Sequence, residues 1–200
     1  MSSQFSRTEL VSRGVKGGAA LLLVGTAAGS LAGTAGAAVP DNDLASLRLL
    51  VAVELLGADF YGNATKAQPY GAAGSKALAR AAFNEGEHYT SLAAVLTGAG
   101  QTPATADDID FTYPDGSFDS TAAVTKLAVD LETIFLGAYL GAIDAVQTPS
   151  LKLPLARIAA NQAQHLATFS ELLGRAPFDL SFPNALSIGA ASDALATYTS

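Results

Sequence analysis

The sequence contains no cysteine and no tryptophan, and only two of its 200 residues are histidine. The absence of cysteine excludes disulfide bonds, thiolate metal ligands and a cysteine nucleophile. The Gly-x-Ser-x-Gly pattern of serine hydrolases is also missing. Imidazole chemistry can therefore occur at only two places, His88 and His165.

Charge is scarce as well. Charged residues make up 14% of the chain, and acidic side chains outnumber basic ones by 18 to 11. A net charge of -7 provides no basic surface for a phosphate backbone or an anionic membrane. Half of the residues are apolar, which is enough for one packed core. We expect an acidic globular domain that does not bind nucleic acid.

The first 37 residues have the layout of an export signal. Arg7, Arg13 and Lys16 precede an uncharged stretch, 17–38, that is rich in Gly, Ala and Thr. Small residues close this stretch, as a signal peptidase requires. The sequence predicts a Sec- or Tat-type leader over 1–37, cleaved after Ala37, and an exported mature domain over 38–200. A retained anchor is the alternative, because the uncharged stretch is long enough to span a bilayer.

The mature sequence has the periodicity of four helices. Apolar residues recur every three to four positions over 41–64 and 75–96, and again over 121–146 and 155–173. Pro149 and Pro154 are predicted to bound the link before the fourth helix.

The third of these helices contains the apolar run 127–143, which could be mistaken for a membrane span. The run is short and includes Asp130 and Glu132, so a buried helix is favoured.

The connections between the helices are uneven. Residues 97–120 form a long segment rich in Pro, Gly and Asp, whereas the other two links are short. This pattern predicts an all-α four-helix bundle with one long crossover between the second and third helices. A short C-terminal helix is expected to lie on the bundle after Pro177. The crossover is expected to be anchored by its aromatic residues, Phe111, Tyr113 and Phe118.

Two glutamates, Glu54 and Glu132, lie inside apolar helical segments. Burying a carboxylate without a partner costs several kcal/mol, so each is expected to have one. An exposed position at the edge of an amphipathic helix is the alternative. A tyrosine follows each glutamate by seven residues, and we interpret Tyr61 and Tyr139 as core aromatics in preference to donors at a site.

Both histidines share one pattern. Glu85 and His88 are three residues apart on one helix face, where a carboxylate and an imidazole can bind the same cation. Gln162 and His165 repeat this offset with an amide in place of the acid.

The spacing supports a duplicated hairpin. Glu54 precedes Glu85 by 31 residues, and Glu132 precedes Gln162 by 30. A single glutamate on each of two helices, combined with Glu-x-x-His on the other two, is how dimetal sites are built in bundles. The predicted metal ligands are Glu54, Glu85, His88, Glu132, Gln162 and His165.

Three segments carry a resemblance to a known family. Residues 53–61 (VELLGADFY), 136–142 (LGAYLGA) and 176–178 (APF) resemble the exported bacterial ferritin-like proteins that are related to plant desiccation-related proteins. The resemblance extends over about 44–198. It implies a ferritin-like four-helix bundle whose site holds two iron or manganese ions.

Gln162 departs from the family pattern, which has glutamate at this position. Because an amide is neutral, two divalent cations would face three carboxylates and retain about one positive charge. Weaker binding is expected, of one ion or two, and a single ion is chemically reasonable. A bundle that has lost the metal and keeps a hydrogen-bonded polar core is equally compatible with the sequence.

Two functions follow. One is an exported metal-binding protein in which O₂ or peroxide reacts at iron or manganese. The other is a non-enzymatic stress or envelope scaffold that acts through its surface. Whether the protein is an enzyme stays open, and its high Ala and Leu content permits a homodimer without requiring one.

Overall fold

A computed structural model describes residues 38–67, 70–178 and 180–199. This part of the chain forms only helices, apart from an isolated bridge between Phe111 and Thr199. The predicted all-α class is therefore confirmed. The helices are α1 (Asp41–Ala67), α2 (Ala72–Gly98), α3 (Thr121–Ala145), α4 (Pro149–Leu172) and α5 (Ile188–Leu195), and a 3₁₀ turn covers Ala106–Asp108.

The helices pack as two hairpins. α1 packs against α2, and α3 packs against α4. The two hairpins are joined by contacts between α1 and α3 and between α2 and α4, of which the contact between α1 and α3 is the closer. The short α5 lies against α3 and α1. These contacts confirm a four-helix bundle with a long crossover between α2 and α3 and a short C-terminal helix.

The predicted leader and its alternative, a retained anchor, lie outside the described residues. Within residues 38–67, 70–178 and 180–199, no helix combines the length and hydropathy needed to cross a bilayer. The apolar run of α3 is instead buried inside the bundle, where Leu131 and Phe135 are fully buried.

Aromatic contacts fix the crossover to α1, as the sequence predicted. Tyr113 donates a hydrogen bond of 2.7 Å to Oδ2 of Asp59. Its ring lies 5.2 Å from that of Phe118, and the ring of Phe60 lies within 6.0 Å of both. Phe111 instead pairs with Thr199 near the C-terminus.

The segment that leads into α5 packs closely against glycines of α3. Leu186 donates its amide to the carbonyl of Gly137 at 2.9 Å. A Cβ at Gly141 would lie 1.7 Å from the carbonyl oxygen of Leu186, so only glycine permits this approach. Phe178 and Phe182 precede α5 and are about nine-tenths exposed.

The predicted start of the fourth helix is wrong. α4 begins at Pro149, six residues before the predicted Leu155, and includes Pro154. Proline is favoured at the first position of a helix, which Pro149 occupies. Pro154 lies inside the helix and removes only the hydrogen bond to the carbonyl of Ser150, an exposed residue. The buried Asp43 of α1 completes the helix start by accepting from the amides of Gln147 (2.9 Å) and Thr148 (2.8 Å).

We expect Asp43→Ala to lower the free energy of unfolding by about 2 kcal/mol, because two charge-assisted hydrogen bonds are lost at a buried helix start. Urea unfolding followed by circular dichroism measures the loss. The exposed Asp144→Ala is the matched control and should change stability by less than about 0.5 kcal/mol. Equal effects of the two substitutions would contradict the capping role.

Candidate metal centre

All six predicted ligands meet in the middle of the bundle. Four of the helices contribute, and the side chain of His88 is the most exposed member at 13%. The alternative that Glu54 and Glu132 lie at exposed edges is wrong, because neither has any exposed surface. We call this group the carboxylate–histidine cluster: Glu54 from α1, Glu85 and His88 from α2, Glu132 from α3, Gln162 and His165 from α4.

Glu85 lies between the two histidines. Its Oε1 is 3.0 Å from Nδ1 of His165, and its Oε2 is 3.5 Å from Nδ1 of His88. The side chains form two groups whose ligand atoms lie within 4.8 Å of one another, one with Glu54 and His88 and one with Glu132 and His165. Glu85 belongs to both groups. One carboxylate is therefore in place to be shared between two cations.

The side chain of Glu85 fits because Gly57 has none. A Cβ at Gly57 would lie 3.0 Å from Cγ of Glu85 and 3.2 Å from the ring of Phe135. Gly57 is one helical turn after Glu54 on α1. Sequence reasoning assigned no role to this glycine, although glycine within an unbroken apolar helix signals close packing.

The two tyrosines connect the hairpins. Tyr61 of α1 donates a hydrogen bond to Oε1 of Glu132 on α3, and Tyr139 of α3 donates to Oε1 of Glu54 on α1. Both rings are fully buried. Both tyrosines are core aromatics, as the sequence indicated, but they are donors as well, because each hydroxyl orients a carboxylate of the cluster.

Gln162 lies against two of the acids. Its Nε2 is 3.1 Å from Oε2 of Glu85 and 3.4 Å from Oε1 of Glu54, so the amide donates where a metal-bridging carboxylate was expected. Within the described residues, two buried oxygens of the cluster have no hydrogen bond, namely Oε2 of Glu132 and Oε1 of Gln162, and Oε1 of Glu85 has only its contact with Nδ1 of His165. Buried polar atoms are normally satisfied, so these oxygens suit a cation. The residues present fit a metal ion.

Burial sets the protonation of this cluster. It raises the pKa of Glu132 to about 7, and together with the negative charge of Glu85 it raises that of Glu54. Burial also opposes ionisation of Glu85, but hydrogen bonds with Glu54 and both histidines lower its pKa below the ordinary value. Burial disfavours a charged His165, yet Glu132 and Glu85 raise its pKa to about 10. The metal-free cluster therefore retains protons at neutral pH.

We expect the metal-free protein to lose stability as the pH rises. The folded pKa of His165, about 10, exceeds the unfolded value of 6.5, so its contribution is complete below pH 6.5 and is lost as the pH passes through 10. The raised pKa of Glu132 also lowers stability as the pH rises, between pH 4.5 and about pH 7. Urea unfolding with a chelator present should show a decrease of about 1–3 kcal/mol from pH 6 to pH 10. Stability that increases over this range would contradict the protonation described.

A sequence comparison with known families identifies a match. The family model of the ferritin-like domain matches residues 42–175, which extend from the start of α1 to just beyond α4. The chain belongs to the ferritin-like domain family. Because the ferritin-like match includes the four helices that supply the cluster, it confirms the resemblance found in the sequence at the level of the superfamily. No curated protein matches the chain.

Proposed function

We propose that this ferritin-like protein binds iron or manganese at the carboxylate–histidine cluster. The observation that carries the proposal is the position of Glu85, within 3.5 Å of Nδ1 of both His88 and His165. Carboxylates favour hard cations and imidazole favours transition metals, so a mixed set suits these two ions. Bundles of this kind hold iron or manganese pairs with glutamate and histidine ligands, and the present set differs by having Gln162 in place of a fourth glutamate.

One position would draw on α1 and α2 alone, and the other would draw on both hairpins through Glu85. Glu54 and His88 would hold one ion and Glu132 and His165 the other, with Glu85 shared. Iron or manganese bound there would supply one-electron chemistry toward O₂ or peroxide. Around that metal, the chain supplies orientation: Tyr61 and Tyr139 fix one oxygen of each outer glutamate, and the apolar helices exclude bulk water.

Charge limits how much metal the cluster holds. Three carboxylates face two divalent ions, which leaves about one positive charge uncompensated in a buried site. Gln162 provides only an amide beside Glu85. We therefore propose that one ion binds tightly and a second binds weakly.

Elemental analysis of protein produced in medium supplemented with iron and manganese tests this proposal. We expect one of the two metals to copurify at about one ion per chain. Because cluster residues must lose protons to bind a cation, retention should improve at higher pH, opposite to the stability of the metal-free protein. Protein that emerges without either metal would contradict the proposal.

A non-enzymatic scaffold is the second candidate. The observation that favours it is the amide of Gln162, which donates to both Glu54 and Glu85. With the tyrosine donors and the two histidines, the cluster can compensate its charges without a cation. Metal-free protein from the elemental analysis would make this candidate the better one.

We also propose export, with removal of residues 1–37 and a relation to desiccation-related proteins. The basic start, the uncharged stretch and the small residues before Ala38 support it. Mass spectrometry of protein recovered outside the cytoplasm of a bacterial host is the test. A chain that begins at Ala38 supports cleavage, and a full-length chain contradicts it.

A further inference from the structure

A cleft lies along the seam between α2 and α4 and shares His165 with the carboxylate–histidine cluster. These two helices pack less closely than the partners within either hairpin. The cleft has a volume of about 130 Å³ and opens to solvent on one side. A single water needs about 10–15 Å³ by this measure, so there is room for a small organic molecule. The polar residues that line it are Arg80 and Asn84 from α2 and Asn161, Gln164, His165 and Thr168 from α4.

The surface of the cleft is mostly apolar, and its polar part suits an anion. No acidic side chain is among the lining residues of the described chain, and the exposed Arg80, whose guanidinium lies 5.4 Å from the centre of the Phe83 ring, supplies a positive charge. A divalent cation would meet repulsion from Arg80 and no charged ligand. A carboxylate can instead pair with the planar guanidinium through two parallel hydrogen bonds and accept others from amides.

The remaining lining residues select for size and polarity. Ala77 of α2 and Phe169 of α4 provide apolar surface beside the polar groups. A ligand with one charged end and a short hydrocarbon end matches both parts.

We propose that the cleft between α2 and α4 binds a small monocarboxylate of the size of acetate or propionate, with Arg80 holding its carboxylate group. Asn84 and His165 form the inner end of the site. This binding requires no metal and goes beyond the proposed metal-binding function.

His165 connects the cleft to the cluster. Its Nε2 lies 3.0 Å from Nδ2 of Asn84, while its Nδ1 faces Glu85 at 3.0 Å and Glu132 at 3.2 Å. A divalent cation at Nδ1 would place positive charge one imidazole ring away from the cleft, which favours an anion there. We therefore expect metal and carboxylate to strengthen each other's binding, and this link rests on the proposed function.

The first experiment uses chelator-treated protein and acetate at constant ionic strength, with chloride as the balancing ion. Nuclear magnetic resonance follows the side-chain amide signals of Asn84, Asn161 and Gln164. We expect saturable shifts with a Kd of about 1–10 mM. Arg80→Gln should weaken binding by at least about tenfold, because the bidentate partner is lost. Arg175→Gln, which removes an exposed arginine after α4, is the matched control and should bind as the wild type does.

Three results would overturn the carboxylate site: no saturable shift, shifts confined to residues outside the cleft, or equal weakening by the two arginine substitutions. Spectra of each variant without acetate verify that the bundle is folded. Because no metal is present, failure here leaves the metal-binding proposal standing.

The second experiment repeats the titration with one equivalent of Zn²⁺, a diamagnetic probe that accepts carboxylate and imidazole ligands. We expect acetate to bind at least about threefold more tightly, and acetate to tighten zinc binding by the same factor. Acetate affinity that is unchanged by bound zinc overturns the link alone. Failure of zinc to bind would contradict the metal-binding proposal without touching the acetate result.

Discussion

Gln162→Glu is expected to raise the metal content from about one to about two ions per chain, because a fourth carboxylate balances two divalent cations. The same change should lower the stability of the metal-free protein by about 1–3 kcal/mol, since it replaces an amide donor to Glu54 and Glu85 with another buried acid. Elemental analysis and thermal unfolding, with and without metal, measure the two effects. If the substitution raises stability with metal bound and lowers it without metal, residue 162 faces the cation.

Gln164→Glu is the matched control for this experiment. It makes the same charge change two residues away, at an exposed position of α4. The control should leave metal content unchanged and alter metal-free stability by less than about 0.5 kcal/mol. If Gln162→Glu also emerges metal-free, the binding hypothesis fails and the scaffold candidate replaces it.

Glu85→Gln is expected to have the second large effect, a loss of metal affinity of more than about 100-fold at both positions. The cause is that Glu85 belongs to both groups of ligands, whereas Glu54 and Glu132 each belong to one. Glutamine keeps the shape of the side chain beside Gly57, so the packing described above should persist. Calorimetric titration of the chelator-treated variant with metal measures the affinity.

Glu87 offers a control within the same motif. It is exposed on α2, and Glu87→Gln removes the same charge two residues from Glu85 without touching the cluster. Wild-type affinity is expected for this variant. Retention of metal by Glu85→Gln at wild-type level would exclude the shared position of this carboxylate.

The bundle was predictable because its helices are long and strongly periodic and its links differ in length. The six cluster residues were predictable for a different reason. Acids inside apolar segments and the only two imidazoles of the chain follow one repeated spacing, which local patterns reveal without tertiary information.

Other features depend on contacts between elements that are distant in sequence. The start of α4 was missed because its capping group is Asp43, more than a hundred residues earlier. Gly57 acquires its role only when Glu85 arrives from α2. The donor role of the two tyrosines was missed because each follows the acid on its own helix in sequence but donates to the acid of the other hairpin.

The exchange of tyrosine hydrogen bonds has a consequence for how the molecule folds. Each half of the chain carries an ionisable group whose partner resides in the other half, so a fragment containing α1 and α2 alone would bring Glu54 and Glu85 together without Tyr139 or His165. In such a fragment, only His88 would remain to compensate the two buried carboxylates. The two halves should therefore fold together in a single cooperative transition. A cation bound by residues of both halves would slow their separation.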